Sequence, residues 1–211
     1  MFNRPILPVT KNLLLINAVV FLFTYPILGE VSAFEGLFGL ARETLAVYYP
    51  LNNPRFEPYQ VVTSMFMHGD FWHLAFNMYG LWMFGSIVES RLGPQRYLVF
   101  YLLCGLGAVV AHWIATAMLG EPINIPMLGA SGAIYGVLVG FAYIAPNAVL
   151  QLIIPPIPLK AKYFVAILIA IDLWSGFSRY SSGVAHFAHL GGALMGFILL
   201  TIWARSGLDR A

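Results

Sequence analysis

Charge is what this sequence has least of. Asp, Glu, Lys and Arg make up 9% of its 211 residues, against about a quarter in a soluble domain. Hydrophobic residues make up 60%, and the mean hydropathy is +0.79. Such a chain cannot cover a water-facing surface with charge, so composition alone reads as a membrane protein. A formal net charge of +2, with no basic run, gives no reason to expect a nucleic-acid partner. Cysteine occurs once, at Cys104, which excludes an intrachain disulfide. Lying in an apolar stretch, that thiol reads as a small buried hydrophobe.

Long hydrophobic runs are what the chain does have. A spanning helix needs about 20 mostly apolar residues, with about 17 tolerated. Six stretches qualify, at about 12–28, 71–90, 97–119, 128–144, 161–177 and 184–204, with no internal repeat. The first begins behind Arg4 and Lys11 and is followed by Val31-Ser32-Ala33, which resembles a signal sequence with a cleavage site. Its length and the five runs after it favour a retained helix. With the N-terminus inside, eight basic residues fall on one side (Arg4, Lys11, Arg91, Arg96, Lys160, Lys162, Arg205, Arg210) and three on the other (Arg42, Arg55, Arg179). That asymmetry places both termini in the cytoplasm. The connection 29–58 carries Phe34, Phe38, Leu45, Tyr48 and Tyr49, and reads as an outer loop half-sunk in the leaflet. Pro155-Pro156-Ile157-Pro158 stops the fourth run and stiffens the link to the fifth. The fifth, short and ending near Gly176 and Gly183, is the helix expected to move.

Polar side chains inside such runs are expensive and are functional suspects for that reason. They are His68, His73, Asn77, Ser131, His186 and His189, with His112 the remaining histidine. The topology starts the second, fourth and sixth runs at the outer face. His73, Asn77, Ser131 and His189 then fall within ~10 Å of that end of three different helices. His73 and Asn77, four apart, share a helical face. Gly132, Gly136 and Gly140 recur every four residues behind Ser131, and Gly192 and Gly196 share the face of His189. Bare glycine strips let two helices approach to backbone distance. Tyr135, one turn along from Ser131, is placed to buttress an imidazole.

A serine hydroxyl becomes a nucleophile when a base takes its proton, and neutral imidazole suits that task near pH 7. An oxyanion would need donors, available from His73, Asn77 and the backbone N–H of Ser131. No carboxylate is evidently placed to orient His189, since Asp172 reads as lying toward the far end of the fifth run and Asp70 as a surface residue. The expected machinery is therefore a dyad.

These residues form a pattern. His68-Gly-Asp-Phe-Trp-His73-Leu-Ala-Phe-Asn77, Glu89-Ser-Arg91-Leu-Gly93, Gly129-Ala-Ser131-Gly132 and Ala188-His189-Leu-Gly-Gly192-Ala-Leu-Met-Gly196 together resemble the rhomboid intramembrane serine proteases. The resemblance runs from about residue 11 to 205 and implies a single all-α domain, 1–211, folded as a six-transmembrane-helix bundle. It implies Ser131 as nucleophile and His189 as base, with His73 and Asn77 as oxyanion donors and Gly129, Gly132 and Tyr135 in support. It also implies transmembrane proteins as substrates, no cofactor, and a bacterial plasma membrane as the location. His186 falls outside the motif and is given no catalytic role. The family's Trp followed by Arg or Gln in the first loop is here Tyr59-Gln60.

Other readings compete. A lone serine among glycines is usually a packing residue. His68 reads as a capping or hydrogen-bonding group, Glu89 and Arg91 as ties for the end of the second helix, and Gly80 and Gly85 as packing positions. A metal or haem site built from His68, His73, His186 and His189 uses the commonest metal-ligating side chain. That reading lacks a carboxylate and leaves the Gly-Ala-Ser-Gly motif idle. An inactive rhomboid-like binder of membrane helices could lack Ser131 or His189, and this chain has both. Hydrolysis would need a wet pocket open to the outer face, and a substrate helix that unwinds before it is cut.

Overall fold

A computed structural model describes residues 5–25, 32–120, 122–151, 157–177 and 186–205. Eight helices follow one another, with a two-stranded hairpin between the sixth and seventh. They are α1 (Pro8–Thr24), α2 (Ser32–Leu45), α3 (Gln60–Thr63), α4 (Phe71–Leu92), α5 (Pro94–Leu119), α6 (Ser131–Ile144), α7 (Ala161–Phe177) and α8 (His186–Arg205). A single turn of 3-10 helix, Ser64–Phe66, follows α3.

Local chemistry sets the ends of these helices. Asp70 caps α4 by accepting from the His73 N–H at 2.9 Å. Gly93, at φ 78°, turns the chain directly into α5, whose first residue is Pro94. Gly120, left-handed at φ 68°, ends α5. The fully buried Glu89 of α4 caps α1 from a distance, accepting from Val9 N at 2.9 Å, Thr10 N at 2.8 Å and Thr10 Oγ1 at 2.7 Å. Its tie is thus to the start of α1, while Arg91 is exposed.

The core lies where α6 is held between α5 and α8, around Tyr97, Phe100, Tyr101, Cys104, Val137 and Phe141. Cys104 is buried and free, as its surroundings predict. Glycine allows this closeness. A Cβ on Gly192 would run into the Gly132 carbonyl, and one on Gly196 would sit 2.9 Å from Gly136 Cα. Gly140, by contrast, faces Val88 and Phe100 rather than α8. Gly85 packs where α1, α4 and α5 meet, within 2.8 Å of the Tyr97 hydroxyl and 2.9 Å of Thr10 Cγ2 for an added Cβ.

The structure adds to these expectations. Two helices, Pro94–Leu119 and His186–Arg205, are long and apolar enough to cross a membrane, while Pro8–Thr24 and Ser131–Ile144 are apolar but shorter. Each predicted span has a helix at its place, and by length and composition two of these qualify as spans among the described residues. The chain is also not purely helical. Val149–Gln151 pairs antiparallel with Pro158–Lys160. The outer loop contains α2, and its end is pinned by an exchange of hydrogen bonds between Val47 and Met127, both 2.9 Å. At the position of the family's Trp followed by Arg or Gln, Gln60 anchors that loop. The buried Gln60 amide donates to Arg55 O at 2.9 Å and Glu43 O at 3.3 Å, and its oxygen accepts from Glu57 N at 3.0 Å.

Candidate active site

Three helix beginnings meet at one level. Ser131 is the first residue of α6, His189 the fourth of α8, and His73 the third of α4. Ser131 Oγ lies 2.8 Å from His189 Nε2. The Tyr135 ring stacks on that imidazole, with centroids 4.4 Å apart and planes 11° from parallel. Nε2 thus faces the hydroxyl while the ring plane is fixed from one side.

The other ring nitrogen has a partner that the expected dyad lacks. His189 Nδ1 lies 3.2 Å from Asp172 Oδ1. Asp172 is buried, and the same oxygen lies 2.6 Å from His186 Nδ1. Because α7 packs antiparallel to α8, its last third stands beside the first turn of α8. A carboxylate that seems remote along the chain therefore reaches the histidines. The signal for it in the sequence is a lone acid within an apolar stretch.

His73 faces Ser131 from the opposite wall. Gly69 N–H approaches its Nδ1 at 3.5 Å, which leaves the ring proton on Nε2. Nε2 would sit 2.7 Å from a Cβ placed on Gly129, and Ser131 Oγ would sit 3.8 Å from the same atom. Gly129, at φ 122° and held by its N–H to Ser64 O at 2.9 Å, therefore keeps open the space between the two side chains. Gly132 serves packing instead, against Ala108 and α8. Asn77 is almost fully buried, and its side chain lines the same cavity as His73, Ser131 and His189. This cavity measures about 2290 Å³. The N–H of Ser131, in the first turn of α6, has no acceptor within its own helix.

His68, read as a capping or hydrogen-bonding group, is fully buried and packs edge-on to His73 at 5.0 Å. Burial, reinforced by His73, pushes it down to about 3, so the ring is neutral. The four histidines do not form a single metal set. Among the described residues the group with metal-binding geometry is Asp172, His186 and His189. The stretch up to Gly183 that ends the helix expected to move lies outside the described residues beyond Phe177.

Comparison with known proteins bears on the family. The Rhomboid domain family model matches residues 55–206. Rhomboid protein 1, mitochondrial, of Saccharomyces cerevisiae is 35% identical over 65% of this chain and 40% of its own length. Presenilin-associated rhomboid-like protein A, mitochondrial, of Danio rerio is 35% identical over 74% of this chain and 41% of its own. Rhomboid-like protein 11, chloroplastic, of Arabidopsis thaliana is 30% identical over 72% of this chain and 54% of its own. The chain thus spans about half or less of the length of these relatives. Their mitochondrial and chloroplastic names overturn the expectation of a bacterial plasma membrane with cytoplasmic termini. Sorting of basic residues assigns sides of a membrane and carries no information about which membrane it is. On the match across residues 55–206, the chain belongs to the rhomboid family.

Proposed function

We propose that this protein is a serine endopeptidase that cuts transmembrane helices of other membrane proteins within an organellar membrane. The observation that carries the reading is the 2.8 Å contact between Ser131 Oγ and His189 Nε2, made across two helices that glycines bring to backbone distance.

In the first step His189 Nε2 takes the Ser131 proton as Oγ bonds to the scissile carbonyl carbon. Asp172 keeps the remaining ring proton on Nδ1, which leaves the Nε2 lone pair free, and stabilises the imidazolium that forms. The machinery is therefore a dyad supported by a carboxylate. The negative carbonyl oxygen is received by His73 Nε2–H, the Asn77 amide and the Ser131 N–H. The C–N bond then breaks, His189 returns the proton to the leaving amine, and an ester remains on Ser131. Water, deprotonated by the same imidazole, releases the second product.

The short α6 supports a sunken site. Fourteen residues span about 21 Å, less than the ~30 Å of hydrocarbon, so its serine end lies below the membrane surface. The cavity supplies room there for water and for an unwound segment. α7 supports lateral access of the substrate. Ala161, Val165 and Asp172 are its buried residues, while Ile167, Ile171, Trp174 and Phe177 face outward. The test is cleavage of labelled transmembrane peptides by purified protein. Wild type is expected to cut within the apolar segment and Ser131→Ala to leave it intact, whereas equal cleavage by both would refute the reading.

A further inference from the structure

Asp172 serves two imidazoles, and the base mechanism needs only one. His186 and His189 stand three residues apart on the first turn of α8, so they project from one face. Asp172 reaches both from α7 through a single oxygen, at 2.6 and 3.2 Å. One ligand atom from each of the three residues lies within 4.8 Å of the others. Two imidazoles and a carboxylate are a recurrent donor set for Zn²⁺, whose bonds of about 2.0–2.2 Å put neighbouring ligand atoms roughly 3.3 Å apart. The hydrogen-bonded spacing seen here is close to that, and the protons between the ligand atoms occupy the place a metal would take. Both histidines line the cavity, which gives a hydrated ion a route in and leaves its fourth position to water.

We infer that Asp172, His186 and His189 form an inhibitory Zn²⁺ site that captures the general base. Zinc takes the Nδ1 lone pair of each histidine, and the proton carried there moves to Nε2 of the same ring, so each imidazole stays neutral. His189 then presents Nε2–H to Ser131. It donates a hydrogen bond and has no lone pair left to receive the serine proton. The Asp172 oxygen that oriented His189 becomes a metal ligand at the same time. Inhibition is reversible because no covalent bond within the protein changes, and a chelator restores the base.

The inhibitory half rests on the protease reading, whereas the binding half does not, and two measurements separate them. Untagged, metal-stripped Ser131→Ala protein in detergent is titrated with Co²⁺ and then Zn²⁺. One equivalent is expected to give the visible absorption of a tetrahedral Co²⁺ site, which Zn²⁺ displaces. His186→Gln in the same background is expected to weaken binding at least ~10-fold. Wild type is then assayed on a labelled transmembrane peptide across a Zn²⁺ series with and without EDTA. His186→Gln is compared after scaling to its own metal-free rate, and its inhibition midpoint is expected to rise at least ~10-fold. Absence of the Co²⁺ band, or equal metal binding with and without His186, overturns the site. Binding without inhibition overturns the capture of the base. A chain that cleaves nothing even without metal refutes the protease reading, and the Co²⁺ titration still decides the site.

Discussion

At the scale of single residues, the proposed catalysis depends on which atom each ring nitrogen of His189 faces. Nε2 faces Ser131 and Nδ1 faces Asp172. Replacing Asp172 with Asn keeps the volume but lets the side chain offer an N–H to Nδ1, which favours the wrong tautomer. Asp172→Asn is expected to lower kcat by roughly 10²- to 10⁴-fold with KM little changed, as when the acid of a serine triad is replaced by its amide. Steady-state kinetics on a transmembrane peptide check this, and an unaltered kcat would confine the chemistry to Ser131 and His189. Asn77→Ala removes one of the three proposed oxyanion donors and is expected to cost about 10²-fold in kcat or somewhat less. The same assay reads it, and an unchanged rate would take Asn77 out of the site.

At the scale of elements, the distance between Ser131 and His189 is set by glycine. The Gly132–Gly192 and Gly136–Gly196 contacts hold α6 and α8 at backbone distance, so any side chain there pushes the two helices apart. Gly192→Ala is expected to destabilise the protein by about 1–3 kcal/mol, the usual range for overpacking, and to lower activity more than that loss alone explains. Thermal unfolding in detergent alongside the peptide assay separates the two effects. Glu89 acts on another pair of elements. Its three bonds to the start of α1 are charge-assisted and buried, so Glu89→Ala is expected to cost roughly 2–4 kcal/mol. Unfolding measurements check it, and a change within a few tenths of a kcal/mol would mean that water replaces the carboxylate.

At the scale of the whole molecule, the proposed function requires a substrate helix to pass into the bundle from the side, and α7, whose buried residues are Ala161, Val165 and Asp172, has little packing to give up. A Cβ on Gly176 of α7 would lie 3.5 Å from His186 Cβ on α8, within the range that a disulfide bridges. The double variant Gly176→Cys/His186→Cys is expected to lose cleavage of transmembrane peptides when oxidised and to regain it on reduction. Full activity in the oxidised form would assign the moving part to another element.

The residues alone determined what depends on local geometry. Apolar run lengths marked where helices stand, and the four-residue glycine spacing marked the bare faces of α6 and α8. The positions of His73, Ser131 and His189 at helix beginnings placed them in one layer, and the structure brings Ser131 and His189 into contact there. Only the tertiary structure decided what depends on how helices lie against one another. It brought Asp172 to His189 because α7 runs back along α8, and it carried Glu89 to the start of α1. It also formed α2 within a stretch whose apolar residues suggested a loop. Helix periodicity repeats within a few residues and can be read along a chain, whereas the level at which two helices meet is fixed by packing between segments far apart in sequence.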